Sequence, residues 1–252
     1  MTVAVVTGGA DGIGWATAER LAREHAHVVI LDRADEAARR RAAQLGARHL
    51  GLACDVTDEG SVAQAIAQVL GAYDRIDVLV NNAGIGDQAA PTLEQDAAAF
   101  DRVLAVHVRG TFLVSREAAR SMVARGSGSI VNVASIAGEA GIPGRNAYGA
   151  AKAGIGAMTR SMACEWARKG VRVNAVAPGY VRTALVDQLV AAGALDAAGI
   201  EARTPLGRMA APAEIAEAIA FLASPRASFI TGTTLHADGG WLALGAPEQA
   251  LA

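Results

Sequence analysis

Lysine is almost absent from this chain. Of its 23 basic residues two are lysine, Lys152 and Lys169, which leaves 21 arginines. Cysteine is as scarce. Cys54 and Cys164 share no metal or redox spacing, which excludes a disulfide-stapled scaffold and reads as two free thiols in a reducing compartment. There is no basic stripe or block, and the net charge is −2. Nucleic acid and a membrane surface are therefore excluded as main partners. No apolar run is long enough to span a bilayer. No basic segment precedes the first apolar run, which Thr7, Gly8 and Gly9 interrupt, so no secretory signal is read and the expected location is cytoplasmic. What is present is core: 52% of residues are apolar and 19% charged. That balance excludes disorder and collagen, and over 252 residues it fits one domain, 1–252.

Short apolar, β-branched runs alternate with helical stretches. Strands are expected at Val3–Thr7, Val28–Leu31 (closed by Asp32), near His49–Cys54, and at Val78–Val80, Ile130–Ala134, Val171–Ala177 and Thr233–Ala237. Helices are expected at Gly14–His25, Asp35–Leu45 and Ser61–Leu70. Asp96–Ala124 reads as one long helix or two abutting ones, followed by Ala147–Lys169 (ended by Gly170) and Pro212–Ala223. Strict alternation with continuously apolar strands predicts an α/β fold, a parallel sheet covered on both faces. Thr183–Leu206 is the least regular stretch, rich in Ala and Gly, and reads as a lid.

Directly after the first strand comes Thr7-Gly8-Gly9-Ala10-Asp11-Gly12-Ile13-Gly14, and a helix follows. This is the context a dinucleotide loop requires. Gly8 permits a tight turn, Gly12 lets the backbone approach a pyrophosphate, and Gly14 permits close packing of the helix. The helix N-terminus offers free N–H groups to the diphosphate. Asp32 closes the second strand, where a carboxylate accepts hydrogen bonds from both adenine-ribose hydroxyls and repels a 2′-phosphate. Asp11 adds negative charge. Arg33 is the one group here able to reach a 2′-phosphate. The balance predicts NAD. Asp55-Val56 and Asn81-Asn82-Ala83-Gly84 follow the third and fourth strands, on the edge where such sheets bind ligands.

Tyr148 and Lys152 are four apart at a helix start and share one face. Tyr148 is one of three tyrosines. A phenol titrates near 10, and a cation held close lowers that value. Bringing it near neutrality takes about 4 kcal/mol of preferential stabilisation of the phenolate. Lysine suits this role, because its donors reach ribose hydroxyls while its point charge faces the phenol. In a chain that otherwise uses arginine, a lysine here is informative. Ser135, closing the fifth strand, is placed to hold a substrate oxygen opposite the phenol.

In order and spacing, Thr7–Gly14, Asp55-Val56, Asn81-Asn82-Ala83-Gly84, Ser135, Tyr148-Gly-Ala-Ala-Lys152 and Pro178-Gly179 resemble the short-chain dehydrogenase/reductase family over nearly the whole chain. The resemblance implies a Rossmann-type, doubly wound parallel sheet of seven strands, order 3-2-1-4-5-6-7. It implies Tyr148 as acid/base, Lys152 as its tuner and ribose ligand, and Ser135 as substrate orienter. It also implies Pro178, Gly179, Val181 and Thr183 along the nicotinamide. A homotetramer built from the long central helices and the C-terminal strand region follows from the same resemblance.

One position departs from the family. His107 stands where the family usually has an Asn that positions a water beside the lysine. Histidine donates, accepts and titrates near neutral pH, so the two readings are a relay residue and a packed helix residue. The expected reaction is hydride transfer between a secondary alcohol and NAD, without a metal. The substrate is set by Ile136–Arg145, where Glu139 and Arg145 are the polar exceptions, by Thr183–Leu206 and by Trp241. A 3-oxoacyl-thioester reductase is the alternative. It needs a basic surface for an acidic carrier protein, with Arg125, Arg168, Lys169 and Arg172 as candidates. A catalytically silent NAD-binding sensor is the remaining reading, and the intact Ser135, Tyr148 and Lys152 set opposes it.

Overall fold

A computed structural model of the chain describes residues 2–24 and 27–246. The elements in order are β1 (Val3–Thr7), α1 (Gly12–Ala22), β2 (His27–Asp32), α2 (Asp35–Leu45), β3 (Leu50–Ala53), α3 (Glu59–Tyr73), β4 (Val78–Asn81), α4 (Ala97–Leu104), α5 (Gly110–Arg125), β5 (Gly128–Val133), α6 (Asn146–Trp166), β6 (Val171–Pro178), α7 (Ala184–Ala191), α8 (Ala197–Arg203), α9 (Pro212–Ala223) and β7 (Thr234–Ala237). All seven strands are parallel, in the order β3-β2-β1-β4-β5-β6-β7.

The continuously apolar strands divide their side chains between the two faces. Val3, Val5, Val29, Leu31, Leu79, Ile130 and Val173 pack with α3, α5 and α6. Their neighbours Ala4, Val6, Val28, Ile30, Val80, Val131 and Val176 pack with α1, α2 and α9. Successive strand residues point to opposite faces, so a strand buried on both sides reads as an unbroken apolar run. β1 lies between β2 and β4. The chain therefore reverses its direction of travel across the sheet there, and such a reversal opens a crevice at the carboxyl ends of the strands.

Several boundaries differ from expectation for local reasons. α1 begins at Gly12 because Asp11 caps it, and ends at Ala22; the expected end at His25 lies outside the described residues. Asp58 caps α3, which starts at Glu59 and runs to Tyr73. β3 starts after His49, whose ring nitrogen accepts from the Val28 N–H in place of a backbone carbonyl. The stretch 96–124 is two helices joined by one π-helical turn, Ala105–Arg109. α6 ends at Trp166 and passes through a 3-10 turn to Gly170 at φ +76°. Thr183–Leu206 is ordered as α7 and α8, with Thr183 and Asp196 as caps. Cys54 is buried and Cys164 exposed, both as free thiols. Among the described residues no helix is long and apolar enough to cross a membrane.

Candidate active site

At the carboxyl edge of β1 and β4 the backbone is locked by side chains. The Thr7 hydroxyl accepts from the Asn82 and Ala83 N–H groups, both at 3.0 Å. The Asn82 amide donates to the carbonyls of Thr7 (3.1 Å) and Gly8 (3.0 Å). Gly8 and Gly12 sit at φ +58° and +54°, where side chains are strained. A Cβ on Gly14 would lie 2.1 Å from the Gly8 carbonyl oxygen. The Asp11 side chain accepts the Gly12 N–H at 2.8 Å. The N–H groups of Ile13 and Gly14, in the first turn of α1, have no intrahelical acceptor.

Asp32 is held at the end of β2 by the Ala10 N–H on one carboxylate oxygen (3.3 Å) and the Ala34 N–H on the other (3.1 Å). Arg33 is exposed and makes no hydrogen bond or ion pair among the described residues. Asp55 accepts the Thr57 hydroxyl and N–H on one oxygen, and those bonds lower its pKa. Val56 is buried, against Gly110 of α5. Gly179 donates to the Ala237 carbonyl. Val181 forms an isolated bridge with Ala210. Thr183 uses its hydroxyl to cap α7 and places its methyl toward Gly12. Free N–H groups, a cradle that one Cβ would fill and a fixed carboxylate together fit a dinucleotide.

Ser135, Tyr148, Lys152 and His107 meet at the neighbouring ends of β4 and β5. Ser135 follows β5, and its hydroxyl accepts the Ala137 N–H at 3.1 Å. The first turn of α6 is anchored by Asp87, which accepts the Tyr148 N–H at 3.1 Å. The Lys152 Nζ, in a residue 5% exposed, donates to the Val133 carbonyl at 2.7 Å and lies 5.4 Å from the Tyr148 ring centre. Burial pushes the Lys152 ammonium down to about 7. Burial raises the Tyr148 phenol above its ordinary value, and the hydrogen bond from Ser135 and the charge of Arg145 oppose that rise. The expectation of a phenol lowered toward neutrality by lysine is therefore not met by these side chains alone. Desolvation is the largest influence on the phenol, and the same dry surroundings drive the lysine toward its neutral form.

His107 is 2% exposed. The π-helical turn aims its ring at the β4 loop, where Nε2 bonds the Ile85 carbonyl at 2.9 Å and faces the Ile85 N–H at 3.1 Å. The ring meets Tyr148 edge-on, centres 5.3 Å apart. It needs Gly84 beside it, since a Cβ there would lie 2.5 Å from its Cε1. Burial, then the charge of Lys152, lowers its pKa to about 4. His107 is neutral at physiological pH instead of titrating there.

Sequence reasoning did not find the buried polar chain beneath the site. The Asn81 amide donates to Ser115 Oγ and Asn132 Oδ1, both at 2.8 Å, and the Asn132 amide donates to Thr159 Oγ1 at 2.9 Å. It joins β4, α5, β5 and α6. Asp87 was also missed. Neither carries a spacing signal, because the partners are distant in sequence. The proposed basic docking surface is half consumed. Arg172 caps the end of α9 through the carbonyls of Leu222, Ala223 and Ser224, and Arg125 binds Asp77 and the Ile76 carbonyl. Arg168 and Lys169 remain exposed. A cavity of about 500 Å³ lies among Tyr180, Pro205, Leu206, Arg208, His236 and Asp238; Ser135, Tyr148 and Lys152 do not line it.

A family model described as enoyl-(acyl carrier protein) reductase matches residues 8–242. Cis-4-hydroxycyclohexanecarboxylate dehydrogenase of Sinomonas cyclohexanicum is 49% identical, over 96% of this chain and 97% of its own. The uncharacterized short-chain type dehydrogenase/reductase y4vI of Sinorhizobium fredii is 47% identical over 98% of this chain, which spans 45% of that protein's length. Among solved structures, ElxO with NADP bound has a TM-score of 0.90 at 32% identity, covering 96% of this chain and 99% of that one.

Proposed function

The chain belongs to the short-chain dehydrogenase/reductase family, and we propose that it is an NAD-dependent oxidoreductase interconverting a secondary alcohol and a ketone, with Tyr148 as acid/base. The observation that carries this reading is the convergence of the Ser135 hydroxyl, the Tyr148 phenol and the buried Lys152 ammonium beside a dinucleotide cradle. The cradle residues Gly8, Gly12, Ile13, Gly14 and Asn82 hold the diphosphate end. Asp32 accepts the adenine-ribose hydroxyls, and Lys152 has N–H donors left for the second ribose. When bound, the nicotinamide accepts or supplies the hydride.

In oxidation Tyr148 Oη takes the carbinol proton, and Ser135 Oγ holds the same oxygen. In reduction the phenol returns the proton to the ketone oxygen. Burial raises the phenol's pKa, and the Ser135 hydrogen bond and the Arg145 charge oppose that rise; oxidation draws on the phenolate and is expected to rise with pH. His107 is a positioning residue in this reading, holding the β4 loop against the Tyr148 ring. Asp32, fixed by two N–H groups, favours NAD by repelling a 2′-phosphate. A homotetramer is proposed on the large apolar side chains left exposed on and near α5 and β7: Phe112, Phe229 and Leu235. Light scattering tests it.

One experiment tests the main reading. Purified protein is screened for reduction of NAD and of NADP over a panel of secondary alcohols, beside Tyr148→Phe. Turnover is expected with NAD preferred, and Tyr148→Phe is expected to lose about 10²- to 10⁴-fold in kcat while still binding NAD. A Tyr148→Phe protein as fast as wild type refutes the acid/base role, and an NADP preference refutes the cofactor assignment.

A further inference from the structure

α6 carries Tyr148 and Lys152, yet it has no cap of its own. Arg145, at the N-cap position, makes no side-chain bond to the helix. Asp11, Asp58, Asp96, Thr183 and Asp196 each cap the helix they precede. The Arg145 carbonyl accepts the Gly149 N–H at 2.8 Å, the first bond of α6. The Tyr148 N–H therefore lies among the donors that a helix leaves over at its start. Asp87, 61 residues earlier in the segment between β4 and α4, accepts it at 3.1 Å. A carboxylate there also meets the positive end of the helix dipole.

Asp87 is itself fixed. Its other oxygen accepts the Gln88 N–H at 2.8 Å. The Gln88 side chain is bonded to the Asp96 N–H at 2.7 Å and to the Asp96 carbonyl at 2.9 Å. The same segment is stitched to the approach to α6. The Gln95 amide donates to the Gly144 carbonyl at 3.1 Å, and the Asn146 amide to the Thr92 hydroxyl at 2.8 Å. Upstream, the Ile85 backbone is bonded to His107. Later turns of α6 are tied instead to β5, Lys152 to the Val133 carbonyl and Thr159 to Asn132. Ser135 follows β5. The turn that carries the phenol and the strand that carries the serine thus have different supports. A local cap would serve stability equally; a cap delivered from the β4 side adds a link between two parts of the site.

We propose that Asp87 is a positioning residue for the acid/base: by holding the Tyr148 N–H, its carboxylate sets where the phenol stands relative to Ser135. The proposal rests on Tyr148 being the acid/base. Asp87 exchanges no proton in the reaction. It fixes the backbone from which the phenol projects, and small displacements of a reacting group are costly.

The test uses a secondary alcohol that wild type oxidises, with Asp87→Ala, Asp87→Asn, Asp87→Glu and Tyr148→Phe. Activity is expressed per NAD-binding site, which removes any unfolded fraction. Asp87→Ala is expected to lose about 10- to 100-fold in kcat, with KM for NAD unchanged. Its solvent deuterium isotope effect on kcat should grow, because proton transfer through a displaced phenol limits turnover. Asp87→Asn keeps an oxygen for the Tyr148 N–H and should retain most of the rate. Asp87→Glu keeps the charge but displaces the anchor, and should lower kcat in the same sense as alanine. Amide exchange in the first turn of α6 should quicken in Asp87→Ala and stay slow in Asp87→Asn. Wild-type kcat and isotope effect in Asp87→Ala, or in Asp87→Glu where alanine prevents folding, overturn the proposal and leave the reading of Tyr148 intact. So does an Asp87→Asn protein that falls as far as Asp87→Ala, or unchanged exchange in the alanine variant. If wild type oxidises no alcohol, or Tyr148→Phe matches it, the reading of Tyr148 fails and the role of Asp87 falls with it.

Discussion

The two halves of the site are built on opposite terms. At the cofactor edge polar side chains find partners: Thr7 with Asn82 and Ala83, Asp32 with Ala10 and Ala34, Asp55 with Thr57. At the acid–base end the buried groups are under-satisfied. His107 Nδ1 and Asn81 Oδ1 are buried without a partner among the described residues, and Lys152 sits in a dry site with one carbonyl acceptor. The first half is rigid because its parts satisfy one another. The second is held in a poised electrostatic state by its surroundings, and buried charges kept that way cost stability.

The largest effect should come from breaking the interlock at the cofactor edge. In Gly14→Ala the new methyl would sit 2.1 Å from the Gly8 carbonyl oxygen and 2.4 Å from the Asn82 amide nitrogen. Backbone cannot yield as a flexible side chain does, so a loss of about 3 kcal/mol is expected. Denaturant unfolding measures it, and NAD binding should fall with it. Wild-type stability and affinity in this variant would show that the loop is loose, and the contrast between the halves would disappear.

Lys152 tests the opposite claim. Its folded pKa of about 7 lies below the unfolded value of 10.5. Between those values the unfolded chain binds more protons, so stability rises with pH. From pH 7 to pH 9 that gain is about 2 kcal/mol. Lys152→Met should lack the rise, and should be more stable than wild type at pH 7 while losing turnover. Parallel stability curves for the two proteins would mean that Lys152 is not strained.

The same division explains what was legible in the sequence. Strand runs such as Val3–Thr7 and the glycines at 8, 12 and 14 were readable because burial on two faces, positive φ at Gly8 and Gly12, and the close Gly8 carbonyl at Gly14 leave few residue choices. Tyr148 and Lys152 were readable because both types are scarce and share a helix face. The π-helical turn at Ala105–Arg109 was not, since it preserves the helical apolar pattern to within one residue. α7 and α8 were hidden by an Ala- and Gly-rich stretch whose capping residues also form turns. The Asn81, Ser115, Asn132 and Thr159 chain and the Asp87 anchor depend on pairings between distant segments, which periodicity does not encode.

His107 gives the smallest and sharpest test. Its folded pKa of about 4 lies below the ordinary 6.5, with burial as the main cause and the charge of Lys152 next. Between pH 4 and 6.5 the unfolded state binds the extra proton, so this residue's contribution to stability is present above 6.5 and is lost as pH falls toward 4. From pH 6.5 to pH 5 the loss is about 1.5 kcal/mol. Asparagine cannot titrate in this range but keeps an amide that can meet Ile85. His107→Asn should therefore lose less stability than wild type over that interval, and the difference between the two curves isolates this ring from every other titrating group. Activity separates positioning from packing. A positioning residue lost from beside the Tyr148 ring should change the pH profile of kcat, whereas a residue that only fills space should change stability and leave that profile in place. Coincident acid limbs in the two unfolding series would mean that the imidazole is already protonated or solvated near neutrality, and the acid–base end would then be no more strained than the cofactor edge.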